Sequence, residues 1–232
     1  MRAILHSPLT AGPLTLSDDA FHHLANVVRV RPGEALLMLD GLGRRARARV
    51  LGIGKRAIEL EVEAVEQAAA PLPLDVAIAV PKREALESMV KMAVELGVRR
   101  LWLLRGDFSP ERIPEFSRLV AIVKSALEQS NNPWSPQLHL LDGWGEIPWA
   151  DYDRVLVFDP AGARGEDFAW LTTDGILTVI GPEGGFSERD RASWPTVSLV
   201  GLPTAILRAP TALATAWGWV LAKRVNSQRE LT

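Results

Sequence analysis

The stretch Ile180-Gly181-Pro182-Glu183-Gly184-Gly185-Phe186-Ser187 closes the apolar run that begins at Ile176. Three glycines within residues 181–185 let the backbone approach a ligand closely. Ser187 suits the cap of a following helix, whose amides would then face the loop. In an open α/β sheet, ligands sit at the carboxyl ends of the strands, which is where this loop would fall. A plain strand-to-helix turn is the simpler reading of the same residues. The pattern lacks the Lys-Ser/Thr pair of a phosphate-binding loop and is not Gly-x-Gly-x-x-Gly, so neither nucleotide fingerprint applies.

Working outward, the rhythm on both sides of this loop alternates strand and helix. Leu74–Val80 reads as one apolar buried strand. Glu84–Leu96 reads as a helix with Leu86, Met89, Val90, Ala93 and Leu96 on one face, ended by Gly97. Arg100–Leu104, Arg154–Phe158 and Ile176–Ile180 read as further strands. Residues 113–129 predict a second helix with Phe116, Leu119, Val120, Val123 and Leu127 facing inward, and residues 211–224 a closing helix. Such alternation predicts an α/β domain with a parallel sheet covered on both faces.

Residues 1–70 have a different, β-rich rhythm. Ala35–Leu39 is a short apolar strand, Asp40-Gly41 a turn, and Arg45–Val50 alternates with period two, as does the stretch from Ile58 to Val65. Ser17 to Arg29 predicts one helix, capped by Ser17. Gln67–Pro73, uncharged and with two prolines, reads as a linker. The expected domains are therefore 1–70 and 74–232.

Composition narrows the chemistry. The 232 residues contain no cysteine, which excludes disulfides, thiolate metal sites and a cysteine nucleophile. The net charge of −2 gives no global attraction for nucleic acid. Locally, eight basic residues between Arg29 and Arg56 face only Glu34 and Asp40. Strand alternation puts Arg45, Arg47 and Arg49 on one face, and with Arg29 and Arg31 they are the candidate contacts for an RNA backbone; a solvated strand face is the alternative. The opening apolar run is too short for a signal peptide and no stretch is long enough to span a membrane, so a cytoplasmic protein is expected. His22 and His23 are adjacent and do not share a helix face, which argues against a metal site. Trp134, Trp144 and Trp149 fall in a Pro/Gly-rich stretch and are expected to pack beneath a loop, with a surface for RNA bases as the alternative.

The glycine loop resembles the signature of the bacterial 16S rRNA (uracil-N3)-methyltransferase family, RsmE, of the SPOUT class. Further matches lie in order along the chain: residues 23–29 (His-Leu-Ala-Asn-Val-Val-Arg), Val94-Glu95-Leu96-Gly97-Val98, Ala126-Leu127-Glu128-Gln129-Ser130, and Ile206-Leu207-Arg208-Ala209-Pro210-Thr211-Ala212. The resemblance implies a trefoil-knotted C-terminal methyltransferase domain, a PUA-like N-terminal β-barrel, a homodimer, and S-adenosylmethionine held mainly by backbone groups. The implied cofactor residues are Asp159, Pro160, Gly181, Pro182, Glu183, Gly184, Gly185, Leu202, Leu207, Thr211 and Ala212. The implied partner is 16S rRNA, on the assembled small ribosomal subunit.

This chain departs from the family pattern at several places. Pro210 replaces a glutamate, Ala205 an arginine, Pro81-Lys82-Arg83-Glu84 a Lys-Gly-Asp/Glu-Lys segment, and Asn131-Asn132 stand where an arginine is expected. These changes bear on RNA contacts and rate. A diverged RNA target, or an RNA-binding homologue without turnover, therefore stands beside the main reading. Attack by uracil N3 needs no cysteine but does need loss of a proton, so a cation that stabilises the uracil anion would help, and Arg208 is the candidate. Pairing of Arg208 with a carboxylate across a dimer is its structural alternative; Glu183 serves either as a polar group of the loop or as its brace.

Overall fold

The computed structural model describes every residue except 23, 26–28, 111–114, 165–174 and 230–232. The chain divides into two compact units, one of residues 1–70 with 124–135, the other of residues 71–123 with 136–232.

The first unit is a six-stranded sheet in the order β1-β3-β4-β5-β2, with β6 pairing β4. Its strands are β1 (Arg2–Leu5), β2 (Gly12–Ser17), β3 (Ala35–Leu39), β4 (Arg44–Ile53), β5 (Ala57–Val62) and β6 (Glu66–Gln67). Period-two alternation works as expected in β4: Ala46, Ala48 and Val50 are buried while Arg45, Arg47 and Arg49 are exposed. The buried side joins Leu36, Met38, Ile58 and Leu60 in one apolar core. The Asp40-Gly41 turn is held by Asp40 Oδ1, which accepts from the amides of Leu42 and Arg44 at 2.7 and 2.9 Å. Gly41 has a φ of +76°, which suits glycine.

Two expectations change here. Of the helix predicted from Ser17 to Arg29, the described residues form α1 (Asp18–His22) and continue helically at Leu24 and Ala25, and Ser17 ends β2 in register with Ala57. His23, Asn26, Val27 and Val28 lie outside the described residues. The linker expected at 67–73 begins later, since Gln67 pairs with Arg44 and the Ala68 amide donates to the Gly43 carbonyl at 2.8 Å.

The second unit carries a six-stranded, wholly parallel sheet. Its strands are β7 (Leu74–Ala79), β8 (Arg100–Leu104), β9 (Gln137–Leu141), β10 (Arg154–Arg164), β11 (Ile176–Ile180) and β12 (Ser198–Gly201), in the order β12-β10-β11-β7-β8-β9. Helices α2 (Arg83–Glu95), α3 (Phe116–Ser130, whose residues from Lys124 on group with the first unit), α4 (Glu188–Ala192) and α5 (Ala209–Arg229) connect and follow them. Helix α5 packs on α2 and on β11. The other face is covered by an aromatic cluster that includes Trp102, Trp144, Tyr152 and Phe186. Trp144 and Trp149 thus pack rather than stand open, as the blander reading of that stretch expected.

Helix α2 ends at Gly97, with φ +73°, by two reverse bonds: Gly97 N–H to Val94 carbonyl at 3.1 Å and Val98 N–H to Ala93 carbonyl at 2.9 Å. Its buried face contains Val94 in place of the expected Leu96. In α3, Leu119, Val123 and Leu127 are buried as predicted, but Phe116 and Val120 are 47% and 46% exposed. The expected start of that helix, at 113, lies outside the described residues. Pro210 sits in the first turn of α5, where its missing N–H costs no helical bond.

Asp75 interrupts the run read as apolar, and it is fully buried in β7. It is satisfied by Arg99 at 2.8 and 2.9 Å, by Arg100 Nε at 2.6 Å and the Arg100 amide at 3.0 Å, and by the Tyr152 hydroxyl at 2.9 Å. Tyr152 in turn accepts from Trp102 Nε1 at 2.7 Å. Burial, with the Asp75 charge adding to it, pushes the Tyr152 hydroxyl well above its ordinary pKa.

Candidate active site

A cleft opens at the carboxyl ends of β11 and β12 and beside the register shift in β10. One wall is the loop after β11, with Gly181, Pro182, Glu183, Gly185 and Phe186; a second is Phe158, Asp159 and Pro160; the third is Leu202 to Leu207 with Ala209 and Ala212.

The loop's shape follows from its residues. Gly181 has no room for a side chain, since a Cβ there would lie 3.0 Å from the Phe186 ring. Gly185 adopts φ +73°, and its amide turns back to the Pro182 carbonyl at 2.9 Å. Ser187 caps α4 in a capping box: its hydroxyl accepts from the Asp190 amide at 2.9 Å, and Asp190 Oδ2 accepts from the Ser187 amide at 3.0 Å. Buried Asp190 also accepts from Trp144 Nε1 at 2.7 Å and the Asp107 amide at 3.2 Å. The loop therefore rests on a satisfied polar bracket and on the rings of Phe186, Trp144 and Trp194, whose centroids lie 5.0–5.8 Å apart.

The wall at 159–162 is set by side-chain bonds. Asp159 Oδ1 accepts from the Ala161 amide at 2.8 Å and Oδ2 from Arg191 at 2.6 Å. Gly162 lies against β12, where a Cβ would come within 2.6 Å of the Val200 backbone. This is where the pairing of β10 with β12 shifts register, between Phe158 and Ala163.

Asp159, Pro160, Gly181, Pro182, Glu183, Gly185, Leu202, Leu207 and Ala212 thus meet in one cleft. Gly184 and Thr211 do not line it; Gly184 turns instead toward Phe108, 3.1 Å from a would-be Cβ. Arg208 is exposed and outside the lining, and its carbonyl accepts the first helical bond of α5, from Ala212. Phe158, Ile180, Phe186, Val200, Thr204, Ala205, Ile206 and Ala209 also line the cleft and were not among the cofactor residues expected from the sequence. The strand Ser198–Gly201, only four residues long and opening on a polar Ser198, carries no clear period-two signal, so its contribution could not be read in advance.

Charge in the lining is one-sided. Two carboxylates, Asp159 and Glu183, line the cleft with no Lys, Arg or His among the lining residues, although Asp159 is already paired from behind by Arg191 at 2.6 Å. With apolar walls from Phe158, Ile180, Val200 and Leu207, the cleft suits a cationic ligand with a flat apolar part. S-adenosylmethionine, with its sulfonium and its adenine, fits that description. No cluster of metal-ligating side chains occurs among the described residues.

The basic row in the first unit has acidic neighbours. Arg49 pairs directly across from Glu61, and Arg45 bonds Glu66 at 3.3 Å. Glu59, Glu61 and Glu63 are all exposed alongside. The local excess read from residues 29–56 is therefore partly offset by β5 and β6. Arg29, Arg31 and Arg47 are exposed as well.

A glycine-loop cleft at the ends of an all-parallel sheet, joined to a small β unit, defines a two-unit α/β protein built around a small organic ligand. The chain belongs to the RNA methyltransferase family: the family's domain model matches residues 68–221, and the model of its PUA domain matches residues 16–63. A Synechocystis protein named ribosomal RNA small subunit methyltransferase E is 32% identical, covering 86% of this chain and 69% of its own. Its Mycobacterium tuberculosis namesake is 28% identical over 92% of this chain and 87% of its own. Among solved structures, the Neisseria gonorrhoeae ribosomal RNA small subunit methyltransferase E bound to S-adenosyl methionine matches with a TM-score of 0.85 at 25% identity, covering 96% of this chain and 97% of that one.

Proposed function

We propose that the chain transfers a methyl group from S-adenosylmethionine to N3 of a uridine in 16S rRNA, acting on the assembled small ribosomal subunit. The observation that carries this reading is the cleft: a glycine-rich loop at the end of β11, apolar walls, and the carboxylates of Asp159 and Glu183 in its lining. Bound there, the cofactor supplies a methyl group already activated by its sulfonium. The chain's own task is placement. The cleft walls Leu202, Leu207 and Ala212 exclude water from the ligand, and the 181–185 backbone fixes its edge. Arg208, exposed at the start of α5, offers a guanidinium to the uracil anion once N3 has lost its proton. As the sulfur–methyl bond breaks, the nitrogen–methyl bond forms, and no covalent adduct to the protein is required. The absence of cysteine agrees with this chemistry. Arg29, Arg31, Arg45, Arg47 and Arg49 would contact the RNA backbone. The active form is taken to be a cytoplasmic homodimer, in keeping with Ile206, 88% exposed at the rim of the cleft.

Calorimetric titration with S-adenosylmethionine tests the cleft. The parent should bind and Ala212→Trp, which plugs the cavity from the α5 side, should not. Incubation with small ribosomal subunits lacking the modification should then yield N3-methyluridine, read by nucleoside mass spectrometry. Label incorporated at another nucleotide would replace the target, and binding without any transfer would support an RNA-binding homologue.

A further inference from the structure

We infer that Arg191 sets the charge this cleft presents to its ligand: by neutralising Asp159 it limits the preference for a sulfonium cation over the neutral thioether that remains after methyl transfer. The inference rests on the cleft being the S-adenosylmethionine site. Of the two lining carboxylates, Glu183 is exposed and screened by solvent, whereas the Asp159 side chain is only 7% exposed. Asp159 is therefore the charge a bound ligand would feel, in surroundings less polarisable than water. Arg191 Nη2 meets its Oδ2 at 2.6 Å.

Holding Asp159 in place does not need Arg191, because Oδ1 is already fixed by the Ala161 amide at 2.8 Å. Among the described residues, Arg191 itself is held without another carboxylate against it. Its guanidinium lies 6.0 Å from the Phe186 ring and 5.8 Å from the Trp194 ring, on a helix anchored by the Ser187–Asp190 capping box. The arrangement places a fixed positive charge behind the one buried carboxylate of the lining.

The chemistry gives this a purpose. Transfer breaks the sulfur–methyl bond and makes the nitrogen–methyl bond; the sulfur passes from cation to neutral, and the N3 proton leaves to a base or to solvent. A bare carboxylate would stabilise the starting cation more than a transition state in which that charge is dispersing, and so would slow the step. Pairing with Arg191 removes most of that penalty.

The test is the ratio of dissociation constants for S-adenosylhomocysteine and S-adenosylmethionine, measured by calorimetry without RNA. Arg191→Met keeps apolar bulk against Phe186 and Trp194 but drops the charge. The ratio should rise about fivefold or more in favour of the cation, as an unbalanced charge in low-dielectric surroundings requires. Adding Asp159→Asn to Arg191→Met should return it to the parent value. Asp159→Asn alone leaves the guanidinium unbalanced and should move the ratio below the parent's, which keeps the idea testable if Arg191→Met does not fold. Equal weakening of both ligands with an unchanged ratio would make Arg191 a mere brace and overturn the inference. A parent that binds neither ligand would overturn the cofactor reading itself, and this inference with it.

Discussion

Gly162 shows how a single hydrogen atom in place of a side chain shapes the cleft. Its α-carbon faces the Val200–Gly201 backbone of β12, and Gly201 in turn meets the Gly162 carbonyl. Backbone cannot swing aside as a flexible side chain can, so an added methyl must push the strands apart. Gly162→Ala should cost about 2–3 kcal/mol in urea denaturation and weaken S-adenosylmethionine binding at least tenfold. Gly143→Ala, where nothing lies within 4 Å of the new methyl, serves as the control and should leave both unchanged. The family resemblance pointed to Asp159 and Pro160 as cofactor residues. It could not reveal why Gly162 must be glycine, since that depends on a partner strand far along the chain. Gly184 fails for a similar reason: glycine density says the loop is tight, but not which glycine faces the ligand and which faces Phe108.

Elements were legible where periodicity and burial agree. β3, β8 and β11 have the ends predicted for them, because each is a short apolar run bounded by polar or glycine residues. Prediction failed where a tertiary partner overrode the local signal. Ser17 is drawn into β2 by pairing with Ala57, and Phe116 and Val120 keep helical spacing with the core yet stay partly exposed. Asp75 is the opposite case, a carboxylate inside a buried strand that is stable only because Arg99, Arg100 and Tyr152 converge on it. Tyr152→Phe removes one donor to that carboxylate and the acceptor of Trp102 Nε1. It should cost about 1–3 kcal/mol, read from the urea midpoint.

In the middle of β9, His139 stacks on Trp102 at 4.0 Å with its Nε2 buried and unbonded. Burial lowers its pKa below the usual 6.5, with Arg100 adding to the effect and Asp75 opposing it. The unfolded chain therefore takes up the proton first as pH falls. The stability linked to this group is present above about pH 6.5 and is lost as pH drops through the lower, folded value. His139→Gln should flatten the decline in urea midpoint between about pH 7 and 5 relative to the parent; an identical slope would mean that the stacked ring does not titrate there.

At the scale of the molecule, the division into two units predicts two separable activities. All lining residues of the cleft belong to the second unit, and the exposed arginine row of β4 belongs to the first. With a net charge of −2, the whole chain exerts no long-range pull on RNA, so the proposed RNA contact rests on local basic stretches such as this row. The neighbouring Glu59, Glu61, Glu63 and Glu66 temper it, and Arg45 is already engaged by Glu66 at 3.3 Å. Arg47 and Arg49 are then the two arginines of the β4 row proposed to meet phosphates, Arg49 beside Glu61. Every phosphate that loses its arginine should lower the slope of log affinity against log salt by about 0.7–0.9. Arg47→Ala with Arg49→Ala should thus weaken binding to small ribosomal subunits, reduce the salt slope by about 1.5, and slow methylation at limiting subunit concentration. Its calorimetric affinity for S-adenosylmethionine should match the parent's. The reverse pattern should hold for Ala212→Trp, which plugs the cleft and leaves the arginine row intact. Loss of cofactor binding in the double arginine variant would show that the two units are coupled, whereas an unchanged salt slope would remove this strand from the RNA interface.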